Sequence, residues 1–135
     1  MATYNKTLAK PLTDARGIEL WLQHAAGKIL FEDARQYAID KINEKANADT
    51  RAEAIDAINN AMYGIMMILD GVTGCLKNSE YSVILETKVK LLKNYETGEQ
   101  EQVSDVNLAN GDGMCMGYHG WMENDFGKQN VVEKT

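Results

Sequence analysis

The residues best able to do chemistry crowd into one stretch, Asn110 to Lys128, which reads NGDGMCMGYHGWMENDFGK. It holds one of the chain's two cysteines, one of its two histidines, one of its two tryptophans and three of its seven methionines. Cys115 and His119 stand four apart and Glu123 stands four further on, so a helix would offer sulfur, nitrogen and oxygen to zinc along one face. Gly117 and Gly120 work against a regular helix there, and the remaining candidates, Cys75 and His24, stand at no usual ligand spacing. A calcium loop counted from Asp105 fails as well. Its fifth position is Ala109, its sixth is Asn110 where glycine belongs, and its twelfth is Met116 where a bidentate glutamate belongs. Neither a metal nor any other cofactor is expected.

The same residues can be arranged for acid–base work. His119 would serve as a proton acceptor beside Cys115, or beside a carboxylate such as Asp112 or Glu123, in a small hydrolase. Nothing in the sequence marks Cys115 as activated. The chain also lacks the Gly-x-Ser-x-Gly elbow, the phosphate-binding Gly-x-x-x-x-Gly-Lys loop and the His-Glu-x-x-His pair. Catalysis is therefore the alternative reading.

The structural reading of the segment is that its Tyr, Trp, Met and Phe close the open side of the sheet, with Trp121 or Phe126 in the core; the preferred functional reading is a face for protein binding. Tyr95, Met116, Tyr118 and Trp121, with the carboxylates of Glu123 and Asp125 around them, have the make-up of aromatic anchors inside a charged rim. From Asn94 to Gly127 there are seven acids and no Lys or Arg, which exceeds the net charge of −6 carried by all 135 residues. Clustered cations are what a phosphate backbone requires, so nucleic acid is disfavoured, whereas a basic protein would be drawn in by electrostatic steering. In composition and size alone the chain resembles the small acidic inhibitor and immunity proteins that bacteria pair with basic toxic enzymes. That resemblance implies non-enzymatic binding of a basic protein partner, and no motif supports it.

The elements that position this stretch follow from length and periodicity. The chain has the size of one ordinary domain, residues 1–135, with a helical half at about 13–71, a strand-and-turn half at about 79–128 and a frayed tail at 129–135. No apolar run is long enough for a membrane span, and the N-terminus lacks a signal-peptide core. A cytoplasmic protein with reduced thiols is the expectation.

In the helical half, Thr13 or Asp14 caps a segment in which Ile18, Trp21/Leu22, Ala25 and Ile29 recur at helical steps. It continues through Phe31, Ala34, Ala38 and Ile42, as one helix or as two with a kink near Gly27. Thr50-Arg51-Ala52-Glu53 reads as a capping box. The helix it opens carries an apolar stripe of Ile55, Ile58, Met62, Ile65 and Leu69 and stops at Asp70-Gly71. Ala25, Ala26 and Gly27 in the first helix and Ala61 and Gly64 in the second predict a close crossing of two antiparallel helices.

After Gly74 the period falls to two. Tyr81 to Lys93 reads as one half-buried strand with Tyr81, Val83, Leu85, Val89 and Leu91 inward. A glycine-containing turn, Asn94 to Glu99, leads to a second strand, Gln100 to Ala109, with Val106 and Leu108 in the core. Val103 is out of phase, so a bulge near Ser104-Asp105 is required. Because two strands alone are marginal, either Thr3 to Leu12 adds an edge strand or the hairpin pairs across a homodimer. The predicted fold class is thus α+β. Two long antiparallel helices pack on a small antiparallel sheet built on a β-hairpin, and Tyr118 to Phe126 forms a short C-terminal helical turn.

Overall fold

The computed structural model describes Thr3, residues 6–110, Trp121 and residues 131–133. Helices and small antiparallel sheets are both present, as an α+β chain requires. Strand β1 (Lys6–Leu8) precedes helix α1 (Ala15–Leu30), whose start is capped by Asp14; its carboxylate accepts from Gly17 N–H at 2.8 Å. Helical winding continues without a break through a π-helical turn, Phe31–Arg35, into the short helix α2 (Gln36–Asp40). The irregularity therefore sits one turn beyond Gly27, where a kink was expected. The local side chains hold it from two sides. The Arg35 guanidinium lies 4.4 Å from the Phe31 ring centroid and its Nε donates to Asn59 Oδ1 at 2.7 Å, while Asp33 accepts from the Thr3 backbone at 3.0 Å.

Helix α3 (Ala48–Leu69) begins earlier than the expected capping box. Asn47 is its cap, with Oδ1 accepting from Thr50 N–H at 2.8 Å, so Thr50 lies inside the first turn. Asn47 satisfies an otherwise orphaned donor and adds most of a turn of helix, which is why the upstream cap prevails. The helix stops where Asp70-Gly71 predicted, with Gly71 at φ 77°, a backbone region that glycine tolerates best. Its apolar stripe largely holds, with Met62 buried and Ile58 and Leu69 packed against the core, but Met66 is buried while Ile65 is exposed. A similar drift occurs in α1, where Ala26 is buried and Ile29 is exposed.

The strand half departs further from expectation. Tyr81 to Lys93 is two strands in two sheets, β3 (Ser82–Ile84) and β4 (Lys88–Asn94), interrupted at Leu85–Thr87. Strand β2 (Cys75–Lys77) pairs antiparallel with β3, and β4 pairs antiparallel with β5 (Gln100–Asn107). Strand β1 takes no place beside that hairpin. It pairs instead with β6 (Val131–Glu133), inside the segment expected to be a frayed tail. Three two-stranded sheets thus replace the single sheet among the described residues.

The β4–β5 hairpin does carry the predicted irregularity. Leu91 pairs with Ser104 and Leu92 with Gln102, which leaves Val103 as the extra residue. The bulge turns Val106 and the following Leu108 into the core, as the period had required. The core has two linked parts. Ala26, Met62, Met66, Leu108 and Trp121 form one, and Trp21, Leu22 and Val106 form the other, with Val89 packed against both. Helix α3 thus supplies Met62 and Met66 to the first part, and α1 and the β4–β5 hairpin line the second.

Candidate functional site

Of the predicted binding residues, the structure describes Tyr95 and Trp121. Met116, Tyr118, Glu123 and Asp125 lie outside the described residues, as do the catalytic candidates Asp112, Cys115, His119 and Glu123. So does the expected helical turn from Tyr118 to Phe126, apart from Trp121.

Trp121 is 1% exposed and sits in the centre of the core cluster. Trp121 thus closes the core, as the structural reading of the segment expects, and it does not stand partly uncovered as the binding reading requires of it. Its indole Nε1 donates to His24 Nδ1 at 2.9 Å, and the two rings meet edge-on with centroids 5.8 Å apart. The slot that admits it is Gly27. A Cβ at that position would lie 2.3–2.6 Å from Cη2, Cζ2 and Cζ3 of the indole. His24 and Gly27 are three apart on α1 and so share a face, with the imidazole one turn before the gap. Gly64, the expected partner of Gly27 in a helix crossing, meets no atom of the described residues within 4 Å of the Cβ it lacks. The small residue in α1 accommodates an aromatic ring, not a second helix. The sequence pattern pairs the two glycines with each other and offers His24 only as a metal ligand. A histidine one turn before a mid-helix glycine, together with a tryptophan lacking an assigned seat, was the available signal.

Tyr95, at the start of the β4–β5 turn, is partly exposed. Its hydroxyl donates to Glu101 Oε2, and Lys93 Nζ lies 5.4 Å from its ring centroid. The electrostatics of this hairpin differ from the picture along the chain. Register places Lys93 opposite Glu101 and Lys90 opposite Asp105, and Lys88 Nζ reaches Asp105 Oδ2 at 3.7 Å. The acids of β5 therefore face the lysines of β4. Pairing sets two acids of the segment, Asp105 and Glu101, against lysines of the neighbouring strand.

Around α1 lies a small apolar cavity of about 160 Å³, lined by Leu12, Gly17, Leu20, Trp21 and His24. A shallower groove of about 420 Å³ separates Leu8–Pro11 from Leu91–Lys93 and Val103. Among the described residues, no three His, Cys, Asp or Glu side chains are grouped so as to hold a metal ion. No helix among them is long and apolar enough to cross a membrane.

Among the described residues, several strongly exposed apolar side chains gather elsewhere, on the β2–β3 hairpin. Every residue of both strands is exposed, and Leu76 (76%), Tyr81 (72%), Val83 (63%), Ile84 (61%) and Leu85 (63%) are more than half uncovered. Leu76 pairs with Val83 across the ladder, so these two share a face, and the strand period puts Tyr81 and Leu85 on it as well. Cys75, Lys77, Ser82 and Ile84 occupy the reverse face. The tip is well formed: Asn78 Oδ1 accepts from the N–H groups of Glu80 and Tyr81 at 2.9 and 2.8 Å, and Asn78 N–H donates to the Tyr81 carbonyl at 2.9 Å. The period-two alternation of Tyr81, Val83 and Leu85 had been legible, but it was read as the inner face of a core strand. Comparison with protein-family models, curated proteins and solved structures finds no match.

Proposed function

We propose that the chain works by binding another protein without transforming it, in the manner of an inhibitor or immunity-type partner. The β2–β3 hairpin is its contact surface. The observation that carries this reading is the apolar face of Leu76, Tyr81, Val83 and Leu85, held out on an ordered turn. A solvent-exposed two-stranded ribbon with such a face is an unfavourable way to end a fold and a favourable way to meet a partner. The turn bonds of Asn78 also reduce the ordering cost of docking. The net charge of −6 favours a basic target through long-range attraction. Because the β5 acids are matched by β4 lysines, that attraction draws on the chain as a whole and not on the β4–β5 ladder.

The test is affinity capture with the tagged chain and with its Val83→Asp variant, followed by mass spectrometry of what is retained. Val83 is exposed, so the variant should melt at the wild-type temperature. A protein retained by the wild type and lost with Val83→Asp is the expected result. Equal retention by both would remove the hairpin from the contact surface.

A further inference from the structure

We infer that the groove between Leu8–Pro11 and the β4–β5 hairpin binds a monomeric acyl carboxylate, with its alkyl chain along the groove and its head group paired with Lys10 and Lys93. The site is separate from the β2–β3 hairpin and goes beyond the protein-binding reading. Its walls come from two distant parts of the chain, the segment that follows β1 and the bulged middle of the β4–β5 hairpin. Leu8, Leu92 and Val103 are each about half exposed there, so apolar surface from both parts stays in water. The volume of about 420 Å³ falls within the ~300–1,000 Å³ of pockets that hold small ligands.

Charge selects the kind of ligand. Among the described residues, the charged side chains that border the groove are Lys10 and Lys93, and no acid accompanies them. Register sets Lys93 opposite Glu101, yet the Glu101 carboxylate accepts from the Tyr95 hydroxyl at 2.5 Å instead. Neither ammonium group closes an ion pair among the described residues. A chain of net charge −6 thus keeps two unneutralised cations beside one apolar groove. An anion with an apolar tail answers both features, whereas a neutral lipid leaves the cations unmatched and a basic peptide is repelled. Two ammonium groups suit the two oxygens of a carboxylate, and neither an arginine nor a helix N-terminus borders the groove to hold a phosphate dianion. The methylene stems of the lysines extend the apolar wall toward the head group.

Isothermal titration calorimetry of the full chain tests this with decanoate, octanoate and octan-1-ol. Decanoate should saturate at one per chain below about 1 mM, and octanoate should bind ~10-fold more weakly, because each methylene buried contributes about 3–4-fold. Octan-1-ol, which lacks the charge, should bind at least ~3-fold more weakly than octanoate. Replacing both lysines, Lys10→Gln with Lys93→Gln, should weaken decanoate at least ~5-fold at an unchanged melting temperature, since both side chains are exposed. Val83→Asp should bind decanoate as the wild type does, so a failure of the hairpin as a protein-binding surface is read separately. The inference is overturned if decanoate does not saturate by about 1 mM, if octan-1-ol matches octanoate, or if the double variant keeps the wild-type affinity. Co-sedimentation with vesicles of phosphatidylcholine and phosphatidylglycerol, without binding of free decanoate, overturns it as well and assigns the lysines to a membrane surface.

Discussion

Gly27→Ala is the sharpest test of how the core is assembled. In an α-helix this change normally stabilises, by about 1 kcal/mol, because alanine loses less backbone freedom on folding. Here the added methyl would stand 2.3–2.6 Å from three ring carbons of Trp121, a rigid side chain that is 1% exposed and has no solvent to retreat into. Overpacking of a filled core costs about 1–3 kcal/mol. An indole pushed aside also stretches or breaks its 2.9 Å bond to His24, adding ~1–3 kcal/mol if the buried N–H is left unpaired. Set against the helical gain, the net loss is about 1–5 kcal/mol, toward about 2 if the bond stretches without breaking. With a urea m-value of ~2 kcal/mol/M, the denaturation midpoint should fall by about 1 M. Gly64→Ala is the internal control. It gains the same propensity in open space and should raise the midpoint by ~0.3–0.5 M. Circular dichroism at 222 nm reads both transitions. If Gly27→Ala matches or exceeds the wild type, or if the two variants move together, Trp121 does not occupy the Gly27 slot.

Three further outcomes follow from the packing. Asn47→Ala should cost about 1 kcal/mol in chemical denaturation, whereas Thr50→Ala should stay within ~0.5 kcal/mol, because Asn47 caps α3. His24→Leu removes the acceptor facing Trp121 Nε1 and should lower stability by ~1–3 kcal/mol. Combining it with Trp121→Phe in a double-mutant cycle should reveal a coupling of at least ~0.5 kcal/mol, and strict additivity would show that the bond carries no energy. Leu108→Ala should cost ~2–5 kcal/mol, while Val103→Thr at the exposed bulge should stay within ~0.5 kcal/mol; a reversed order in thermal melts would place the bulge elsewhere.

What could be read in advance depended on whether the deciding interaction was local. The Asp14 cap, the stop at Asp70-Gly71 and the out-of-phase Val103 are each determined within a few residues, and all three stand in the structure. The cap of α3 was local too. Thr50 to Glu53 had the better-known pattern, but Asn47 lay upstream with an equally good oxygen and more helix to gain. Non-local competition defeated the rest. Periodicity identified Ile58, Met62 and Leu69 of the α3 stripe but not that Met66 would be buried in preference to Ile65, because the two are interchangeable until a partner chooses between them. Gly27 and Gly64 looked like a matched pair only while the seat of Trp121 was unknown.

The strand region shows why an alternating pattern underdetermines the side of a sheet that is buried. Tyr81, Val83, Leu85, Val89 and Leu91 keep one uninterrupted period, yet only Val89 and Leu91 reach the cores around α1 and β5. Leu85–Thr87 divides the run, and the first half pairs with β2, whose Leu76 extends the same apolar face. A period specifies that a face should leave water, and nothing in it requires that the covering surface belong to the same chain. Charge obeys a parallel logic. The acids of β5 looked unopposed when counted along the sequence, but register sets Asp105 against Lys90 and Glu101 against Lys93. The intramolecular hairpin thus opposes two of the seven acids counted along the sequence, Glu101 and Asp105, and among the described residues the apolar β2–β3 hairpin is left uncovered.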